Sequence, residues 1–276
     1  MRAVHLVYIM IILSYVSGCS EDSLLSPSVD QVVIEGYLYA GEPVDDIRLT
    51  KTLPLGREDI APPVNNATVY LLKNSIRYDL SSVSGGEGYY QYTENDLTVD
   101  AGDEFELFVE YGGNVASGKT VVPPAPGNIL LSSNVISVPT EFYPGETNIE
   151  NENYRIDISW EENTSALFFV AVENLEYDPD PIEFSFGKFD MGESGRRFLS
   201  APRNTNEFSI TFRNLNFYGE HRIRVYRVNQ EYADLYTSRQ QDSRDLNEPL
   251  TNISNGLGVF SAFNSSNDTT FQVVGE

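Results

Sequence analysis

Hydrophobic and polar residues alternate in short runs along most of the chain after residue 31. Val32, Ile34 and Leu38 fall on one side of an extended segment, and Tyr37 and Tyr39 fall on the other. A period of two residues is typical of a β-strand with one covered face. The same pattern recurs at residues 47–49, 67–72, 89–92 and 104–111, with turns rich in glycine between the later runs at 85–86, 101–103 and 112–114. Short strands at this spacing predict antiparallel sheets packed as a sandwich.

The second half of the chain repeats this pattern. Residues 154–160 alternate and end in Trp160, and residues 166–172 form a longer apolar run that suits a central strand. A strand that ends in tryptophan and is followed by an apolar strand resembles a fibronectin type III module. Further alternating strands are predicted at residues 208–212 and 222–226.

One helix is predicted, over residues 230–240. Asn229 can cap it, and Glu231 suits its positive end. The residues at helical spacing, Tyr232, Leu235, Tyr236 and Arg239, give a narrow apolar stripe, so we expect the helix to lie across a sheet edge or a neighbouring loop.

A proline-rich segment separates the two halves. Residues 123–127 read Pro-Pro-Ala-Pro-Gly, and consecutive prolines favour a stiff extended connector. We therefore predict an all-β chain of two immunoglobulin-like or fibronectin-III-like antiparallel sandwiches, with one short helix in the second. The first domain spans 31–122 and the second 128–276. The entry to a strand at residues 62–69, Pro-Pro-Val-Asn-Asn-Ala-Thr-Val, resembles transthyretin-like and immunoglobulin-like modules.

The N-terminus carries an export signal. Arg2 precedes a run of almost wholly apolar residues at 3–16, which is too short to span a bilayer comfortably. The following residues, Val16, Ser17, Gly18 and Cys19, resemble a bacterial lipobox, in which the cysteine sulfur takes a diacylglycerol before signal peptidase II cleaves. Residues 1–18 are then the signal peptide, and Cys19 is the lipidation site. The alternative is an ordinary signal with a chance cysteine, but Cys19 is the single cysteine of the sequence and stands where the lipobox requires it.

Residues 19–30 form a tether between the lipid and the fold. Ser20, Glu21 and Asp22 follow the cysteine, and small residues and a proline complete the segment. A cysteine followed by serine and acids also resembles the export signal of lipoproteins on the outer face of the outer membrane. The alternative is a solvated linker on a lipoprotein that faces the periplasm.

Composition limits the partners. The chain has 18 basic and 41 acidic side chains, a formal net charge of −23, and cleavage removes Arg2 but no acid. Such a field repels nucleic acid and anionic lipid head groups, so no nucleic-acid partner is expected. Once Cys19 is acylated no thiol remains for a disulfide, a thiolate metal site or a nucleophile.

No set of catalytic residues stands out, and we expect neither an enzyme nor a cofactor. His221 is the one histidine of the mature chain, and its place at the start of a strand favours a surface position at the sheet edge. No G-x-S-x-G elbow and no phosphate loop is present. Residues 177–181 could offer oxygen ligands to calcium but lack the D-x-D-x-D-G pattern, so no metal is expected. A glycosidase-type carboxylate pair stays open, since acids are plentiful.

Two segments are candidates for interaction. Tyr89, Tyr90 and Tyr92 lie close together, and tyrosine suits interfaces and sugar faces, although it is equally common in sheets. Residues Gly256, Leu257 and Gly258 either turn the chain into a late core strand or form a loop whose bare backbone amides face a ligand.

The order of these motifs resembles a known bacterial family. The sequence reads VVIEGYL at residues 32–38, PPV-x-x-A-x-V at 62–69 and PP-x-P at 123–126. It ends with Glu248-Pro249 followed by Asn255-Gly256-Leu257-Gly258-Val259-Phe260. This resembles the family called domain of unknown function 4249, over essentially the whole chain. Here Asn252-Ile253-Ser254 precedes Asn255-Gly256, a slight departure from the family's ending.

The resemblance implies a role but no activity. Family members are lipoproteins of gram-negative outer membranes, often encoded beside TonB-dependent, SusC-like transporters. The expected protein is therefore an outer-membrane lipoprotein, facing the cell exterior, that serves as an accessory binding or interaction module of such a transporter. The alternative is a structural surface protein or adhesin, and a hydrolase is a distant third. No ligand can be named from the sequence.

Overall fold

The structure is a computed structural model, and it describes residues 31–53, 60–139, 151–162, 165–182, 193–239 and 251–276. The signal peptide, Cys19 and the tether lie outside these ranges. No helix in the described part of the chain has the length and apolar character needed to cross a bilayer.

The first half forms strands where the alternation predicts them. Their bounds are β1 Val32–Tyr39, β2 Asp46–Lys51, β3 Thr68–Lys73, β4 Ile76–Ser82, β5 Tyr89–Gln91, β6 Glu104–Tyr111 and β7 Asn114–Val121. Strand β1 pairs with β2, β2 with β5, and β3 lies between β4 and β6, all antiparallel. The inward residues Ile34, Leu71 and Leu107 are fully buried in a shared core.

The second half forms further strands and one α-helix within the described residues. Their bounds are β8 Ile129–Leu131, β9 Val135–Val138, β10 Arg155–Trp160, β11 Leu167–Asn174, β12 Arg197–Leu199, β13 Glu207–Thr211, β14 Gly219–Val228, α1 Gln230–Arg239, β15 Ile253–Ser254, β16 Leu257–Ser265 and β17 Thr269–Gly275. Short 3₁₀ turns span Glu152–Tyr154, Glu193–Arg196 and Phe212–Asn214.

These strands build a second sandwich. One sheet has the order β13, β10, β8, and the facing sheet contains β12, β11, β14, β17 and β9. Trp160, Ile158 and Ile210 of the smaller sheet share a core with Val170 and Phe271 of the larger one. The prediction of an all-β chain of β-sandwiches with one short helix in the second is confirmed within the described residues. The predicted sandwiches were antiparallel throughout, whereas the pairs β1–β16 and β9–β17 are parallel.

Strand β16 belongs to both sandwiches. It runs parallel to β1, from the pair Val33 and Leu257 to the pair Tyr39 and Phe263, and its last residues pair antiparallel with β14. Strand β15, just before it, pairs with β7. The two sandwiches therefore share one continuous sheet.

This sharing differs from the sequence interpretation, which assigned the last strands wholly to a second domain at 128–276. Ile253, Phe260 and Ala262 are buried in the core of the first sandwich. The reason is that β1 and β7 would otherwise leave their edges and their apolar residues exposed, and β15 and β16 cover both. The first sandwich is thus built from two separate parts of the chain.

The helix α1 also ties the halves together. The Asn229 side-chain amide donates to the Val121 carbonyl at 2.8 Å and to Thr120 Oγ1 at 3.1 Å, and both acceptors belong to β7. Glu231 accepts from Thr120 Oγ1 at 2.9 Å and from Ser261 Oγ at 3.2 Å. Asn229, predicted as a helix cap, therefore holds the helix against the first sandwich.

Candidate interdomain cleft

An aromatic cluster covers the outer face of the shared sheet where the sandwiches meet. The Phe263 ring of β16 lies 5.1 Å from the Tyr39 ring of β1 and 4.8 Å from the Tyr232 ring of α1. The Phe169 ring stacks on the Tyr226 ring at 4.8 Å. Rings from strands of both sandwiches and from the helix thus pack edge to face, tilted or stacked, which favours a rigid junction.

A cleft of about 400 Å³ opens beside this cluster. Its floor is formed by Tyr39, Ala171 and Tyr226. The remaining lining residues are all charged, and they form two walls. The basic wall comes from the second sandwich and comprises Arg197, Arg222 and Arg224, with Glu173 among them. The acidic wall comes from the first sandwich and comprises Glu42, Asp45 and Asp46.

Strand register builds the basic wall. Glu173 of β11 lies between Arg197 of β12 and Arg222 of β14, its direct partners in the two flanking strands. Arg224 follows Arg222 at a spacing of two and so shares its face. Three guanidinium groups therefore converge on one small surface of a strongly acidic protein.

Asp268 anchors two of these arginines. Residues 266–268 form a bulge between β16 and β17, where the Val225 backbone bonds to Ser266. The Arg224 guanidinium donates to Asp268 through Nε at 2.7 Å and Nη2 at 3.1 Å, and Arg222 Nη1 donates at 3.3 Å. Hydrogen bonds from Arg224 lower the pKa of Asp268 below its usual value. The bulge thus fixes the direction of Arg222 and Arg224.

Other donor groups of these two arginines also form hydrogen bonds. Arg222 Nη2 donates to Glu173 Oε2 at 2.5 Å, which raises the arginine pKa. Arg224 Nη1 donates to Tyr226 Oη at 3.1 Å and to Glu42 Oε1 at 3.2 Å. The contact with Glu42 is a salt bridge between the two walls.

The acidic wall is less well compensated. Tyr39 Oη donates to Asp46 Oδ2 over a long 3.4 Å. Burial, and then the neighbouring Asp45 carboxylate, raise the pKa of Asp46 above its usual range. Burial also raises the pKa of Tyr39, with the negative charge of Asp46 as the next cause. Glu42 is thus paired with Arg224, whereas Asp45 and Asp46 form no salt bridge within the described residues.

Comparison with models of known protein families shows which family the chain belongs to. The model described as "Domain of unknown function (DUF4249)" matches residues 21–269. The chain belongs to the DUF4249 family. The predicted resemblance is confirmed, and the match includes the whole cleft and both sandwiches up to the first residue of β17.

Other comparisons add little to this membership. No curated protein matches this DUF4249 chain. A solved structure of titin domains A168–A170 is similar at 11% identity with a TM-score of 0.21. That alignment covers 72% of this chain and 61% of the titin chain, so the DUF4249 protein spans about three fifths of the titin fragment.

The predicted tyrosine segment of the DUF4249 chain does not form one surface. Tyr90 is buried in the first core, and its hydroxyl accepts from the Ala67 amide at 3.0 Å. The Tyr89 ring faces the Arg48 guanidinium at 5.5 Å. Tyr92 Oη donates to Asp96, and this bond raises the pKa of Tyr92 to about 12. The three rings therefore serve different local contacts.

The predicted glycine segment lies at the join of the sandwiches. Gly258 has φ +104°, and a Cβ there would lie 2.0 Å from the Ile34 carbonyl oxygen of β1. Gly256 lies near the Val32 carbonyl oxygen and the Ala116 side chain, and Leu257 begins β16. The close backbone approach is thus to β1, which lets the parallel pair form.

His221 is buried in the core, whereas the sequence favoured a surface position. Its exposed fraction is 2%, and its ring stacks on Phe271 at 5.3 Å. The Asn174 amide nitrogen lies 3.3 Å from His221 Nε2, and the Gly219 carbonyl lies 3.1 Å from Nδ1. The correction has a simple cause, because β17 covers the start of β14 that the sequence left as an edge.

The cleft residues were not singled out from the sequence. Arg222 and Arg224 were assigned only to a strand, and a basic face on a strand of an acidic chain was the available signal. Among the described residues, no three histidine, cysteine or acidic side chains converge to hold a metal ion. The lipobox residues Val16, Ser17, Gly18 and Cys19 lie outside the described part, and their role stays a prediction.

Proposed function

We propose that this DUF4249 protein is an outer-membrane lipoprotein, facing the cell exterior, that serves as an accessory binding module of a TonB-dependent transporter system. The interdomain cleft is its binding site. The observation that carries this proposal is the pairing of a charged basic wall with an under-compensated acidic wall around one concave site of about 400 Å³. Ligand sites of proteins commonly start at about 300 Å³ and place a few polar groups over an apolar floor.

The position of the cleft supports this role. Strand β1 has 8 residues, so its ends lie about 25 Å apart at the usual rise. Its first residue, Val32, follows the lipidated tether, and its last residue, Tyr39, lines the cleft. A lipid on Cys19 would therefore be attached, through the tether, at the end of β1 that lies away from the cleft.

The anchor is tested by removing the lipid acceptor. Cys19→Ser replaces the thiol that takes diacylglycerol, and Ser20→Ala is the matched control beside it. We expect the serine variant to leave the washed membrane fraction, while the control stays with it. Retention of both variants in the membrane fraction would rule out the lipid anchor and with it the proposed location.

The partner is tested by crosslinking from the rim of the cleft. Leu199 is 47% exposed and pairs with Ala171 of the cleft floor, whereas Leu130 is 64% exposed on the smaller sheet. A photoreactive phenylalanine at position 199, but not at position 130, should crosslink in intact cells to an outer-membrane transporter, identified by mass spectrometry. Equal adducts from both positions, or only adducts between copies of this protein, would contradict the transporter role, and the latter would favour the structural or adhesin alternative.

A further inference from the structure

Charges of both signs remain without close partners across the cleft. Among the described residues, Arg197 has no hydrogen-bonding or ion-pair partner, although it lines the same cleft as four acids. Asp45 on the opposite wall is also without one, and Asp46 has only its long bond from Tyr39. By contrast, Arg222 and Arg224 each contact two carboxylates. Arg197 and the two aspartates thus line the same space without a hydrogen bond or ion pair between them, and Arg197 opposes the raised pKa of Asp46 only as the weakest of the causes.

A ligand of a single charge fits this arrangement poorly. An anion that reaches Arg197 would lie near Asp45 and Asp46, and a cation that reaches those acids would lie near Arg197. Placing like charges together at an interface costs several kcal/mol. A ligand that carries both charges, one at each end, would place each group against its opposite.

The floor and the size of the cleft define the remainder of the ligand. The Tyr39 ring and the Ala171 methyl group offer apolar contact between the two walls. A space of about 400 Å³ holds a few residues of extended chain. A short peptide with both termini unblocked has this charge pattern and this apolar middle.

We propose that the cleft binds the zwitterionic form of a short peptide, with the terminal carboxylate against Arg197 and the terminal ammonium against Asp45 and Asp46. This inference rests on the proposed role of the cleft as the binding site. It adds the ligand class, which neither the family nor the fold assigns.

Blocked peptides provide the direct test. The lipidated mature protein in detergent is titrated by calorimetry with trialanine, its N-acetyl derivative, its C-terminal amide and the doubly blocked form. Charge-assisted hydrogen bonds contribute about 1.5–3 kcal/mol each, so each block should weaken binding by about tenfold or more. No binding of trialanine, or equal binding of all four compounds, would overturn the proposal.

Substitutions in the walls assign each terminus. Arg197→Gln should bind trialanine and its amide equally, because the group that reads the carboxylate is gone. Asp46→Asn should reduce the difference between trialanine and its N-acetyl derivative, since the ammonium loses one of its two carboxylates. The matched controls are Arg203→Gln and Asp178→Asn, two exposed positions outside the cleft, and these should bind like the parent protein. Equal losses in the wall variants and the controls would contradict the assignment.

The outcomes separate this inference from the function on which it rests. A transporter crosslink from position 199 without any peptide binding would keep the cleft as a binding site and remove peptides as its ligand. Peptide binding that depends on Arg197 and Asp46, without a transporter crosslink, would keep the ligand class and remove the transporter partner.

Discussion

The two sandwiches complete their cores in different ways. The second uses strands that all lie between Ile129 and Gly275. The first takes most of its core from residues 32–122 but needs Ile253, Phe260 and Ala262 from the C-terminal strands. The same β16 that fills the first core also pairs with β14 of the second. A linear boundary at the proline segment therefore separates the sequence but not the folding units.

This difference also explains where the cleft lies. Strand β16 joins β1 to β14 in one sheet, so the end of β1 with its acidic loop is held beside the basic face of β14. The aromatic cluster around Phe263 fills the angle between the halves. The positions of the two cleft walls thus depend on the shared strand, and variants that weaken its pairing should disturb both walls.

The largest effect is expected from cutting the chain at the proline segment. A fragment of residues 31–122 lacks β15 and β16, so β1 and β7 each lose the partner on one edge and the core loses Phe260. For this fragment we expect no cooperative thermal transition and poor dispersion of the amide signals in NMR spectra. The mature chain should unfold cooperatively and give well-dispersed amide signals. A fragment that unfolds cooperatively would show that the first sandwich is complete without the shared strands.

A large effect is also expected at the closest approach of β1 and β16. Gly258→Ala combines a φ of +104° with a Cβ placed 2.0 Å from the Ile34 carbonyl oxygen. Backbone strain of about 1–3 kcal/mol and overpacking of about 1–3 kcal/mol add to a loss of several kcal/mol in the free energy of unfolding.

Gly41→Ala is the matched control for that change. Gly41 also has a positive φ, +75°, but nothing lies within 4 Å of the added Cβ. Chemical denaturation should show a loss of only about 1–2 kcal/mol for this variant, from strain alone. Similar losses in both variants would mean that the parallel pairing is less close than the structure has it.

The local structure could be predicted from the sequence, but the strand that joins the two sandwiches could not. Alternation located strands such as β1 and β6, and helical spacing located α1, because both signals lie within a few neighbouring residues. The pairing of Val33 with Leu257 and the meeting of Arg197 with Asp46 depend on register between distant segments. No local pattern carries that information, so the shared strand and the cleft needed the structure.

His221 shows the same limit in one residue. Its position beside Arg222 gave no sign of burial, since the covering strand β17 comes about fifty residues later in the chain. Burial here depends on pairing with a distant strand. The local sequence around a histidine at the start of a strand is the same whether or not another strand covers that edge of the sheet.

A moderate effect is expected where Asn252 joins β16 to β7. Its side chain donates to the Phe260 carbonyl at 2.7 Å and to the Lys119 carbonyl at 3.2 Å, and it accepts from the Phe260 amide at 2.9 Å. Asn252→Ala should lower the free energy of unfolding by about 1–3 kcal/mol, because backbone groups lose their partners.

The control for Asn252 is an exposed asparagine in the second sandwich. Asn204 donates to the Ala166 carbonyl at 2.7 Å. Asn204→Ala should cost less than about 1 kcal/mol by urea denaturation, since water replaces the lost bond. If the two alanine variants are equally stable, Asn252 does not fasten the shared strand.

The smallest effect on stability is expected when the pH is lowered, and it arises at His221 in the second sandwich. The Asn174 amide donates to the Tyr218 carbonyl at 2.9 Å and accepts from the Glu176 amide at 3.1 Å, so its orientation is fixed. It therefore presents N–H to His221 Nε2, which must stay unprotonated, with Nδ1–H donating to Gly219. Burial lowers the pKa of His221, although the Gly219 bond and nearby Glu176 oppose the shift.

The lowered pKa fixes the sign of the pH dependence. The unfolded chain takes up the histidine proton at about pH 6.5, before the folded protein does, so stability falls as the pH drops below about 6.5 and is unaffected above it. Asp268, whose pKa is lowered, contributes stability that is lost only in more acidic solution, below its ordinary value. Urea denaturation from about pH 6.5 down to the range in which carboxylates such as Asp46 begin to bind protons should show the fall in stability in the parent and not in His221→Gln.

The probes of that experiment also test the sharing of β16. Trp160 is the one tryptophan of the chain and lies in the second core, so its fluorescence follows that sandwich, whereas far-ultraviolet circular dichroism follows the strands of both. If β16 couples the halves, lowering the pH moves both transitions together although His221 lies in only one of them. A fluorescence midpoint that shifts while part of the dichroism change keeps its former midpoint would show that the two cores unfold independently.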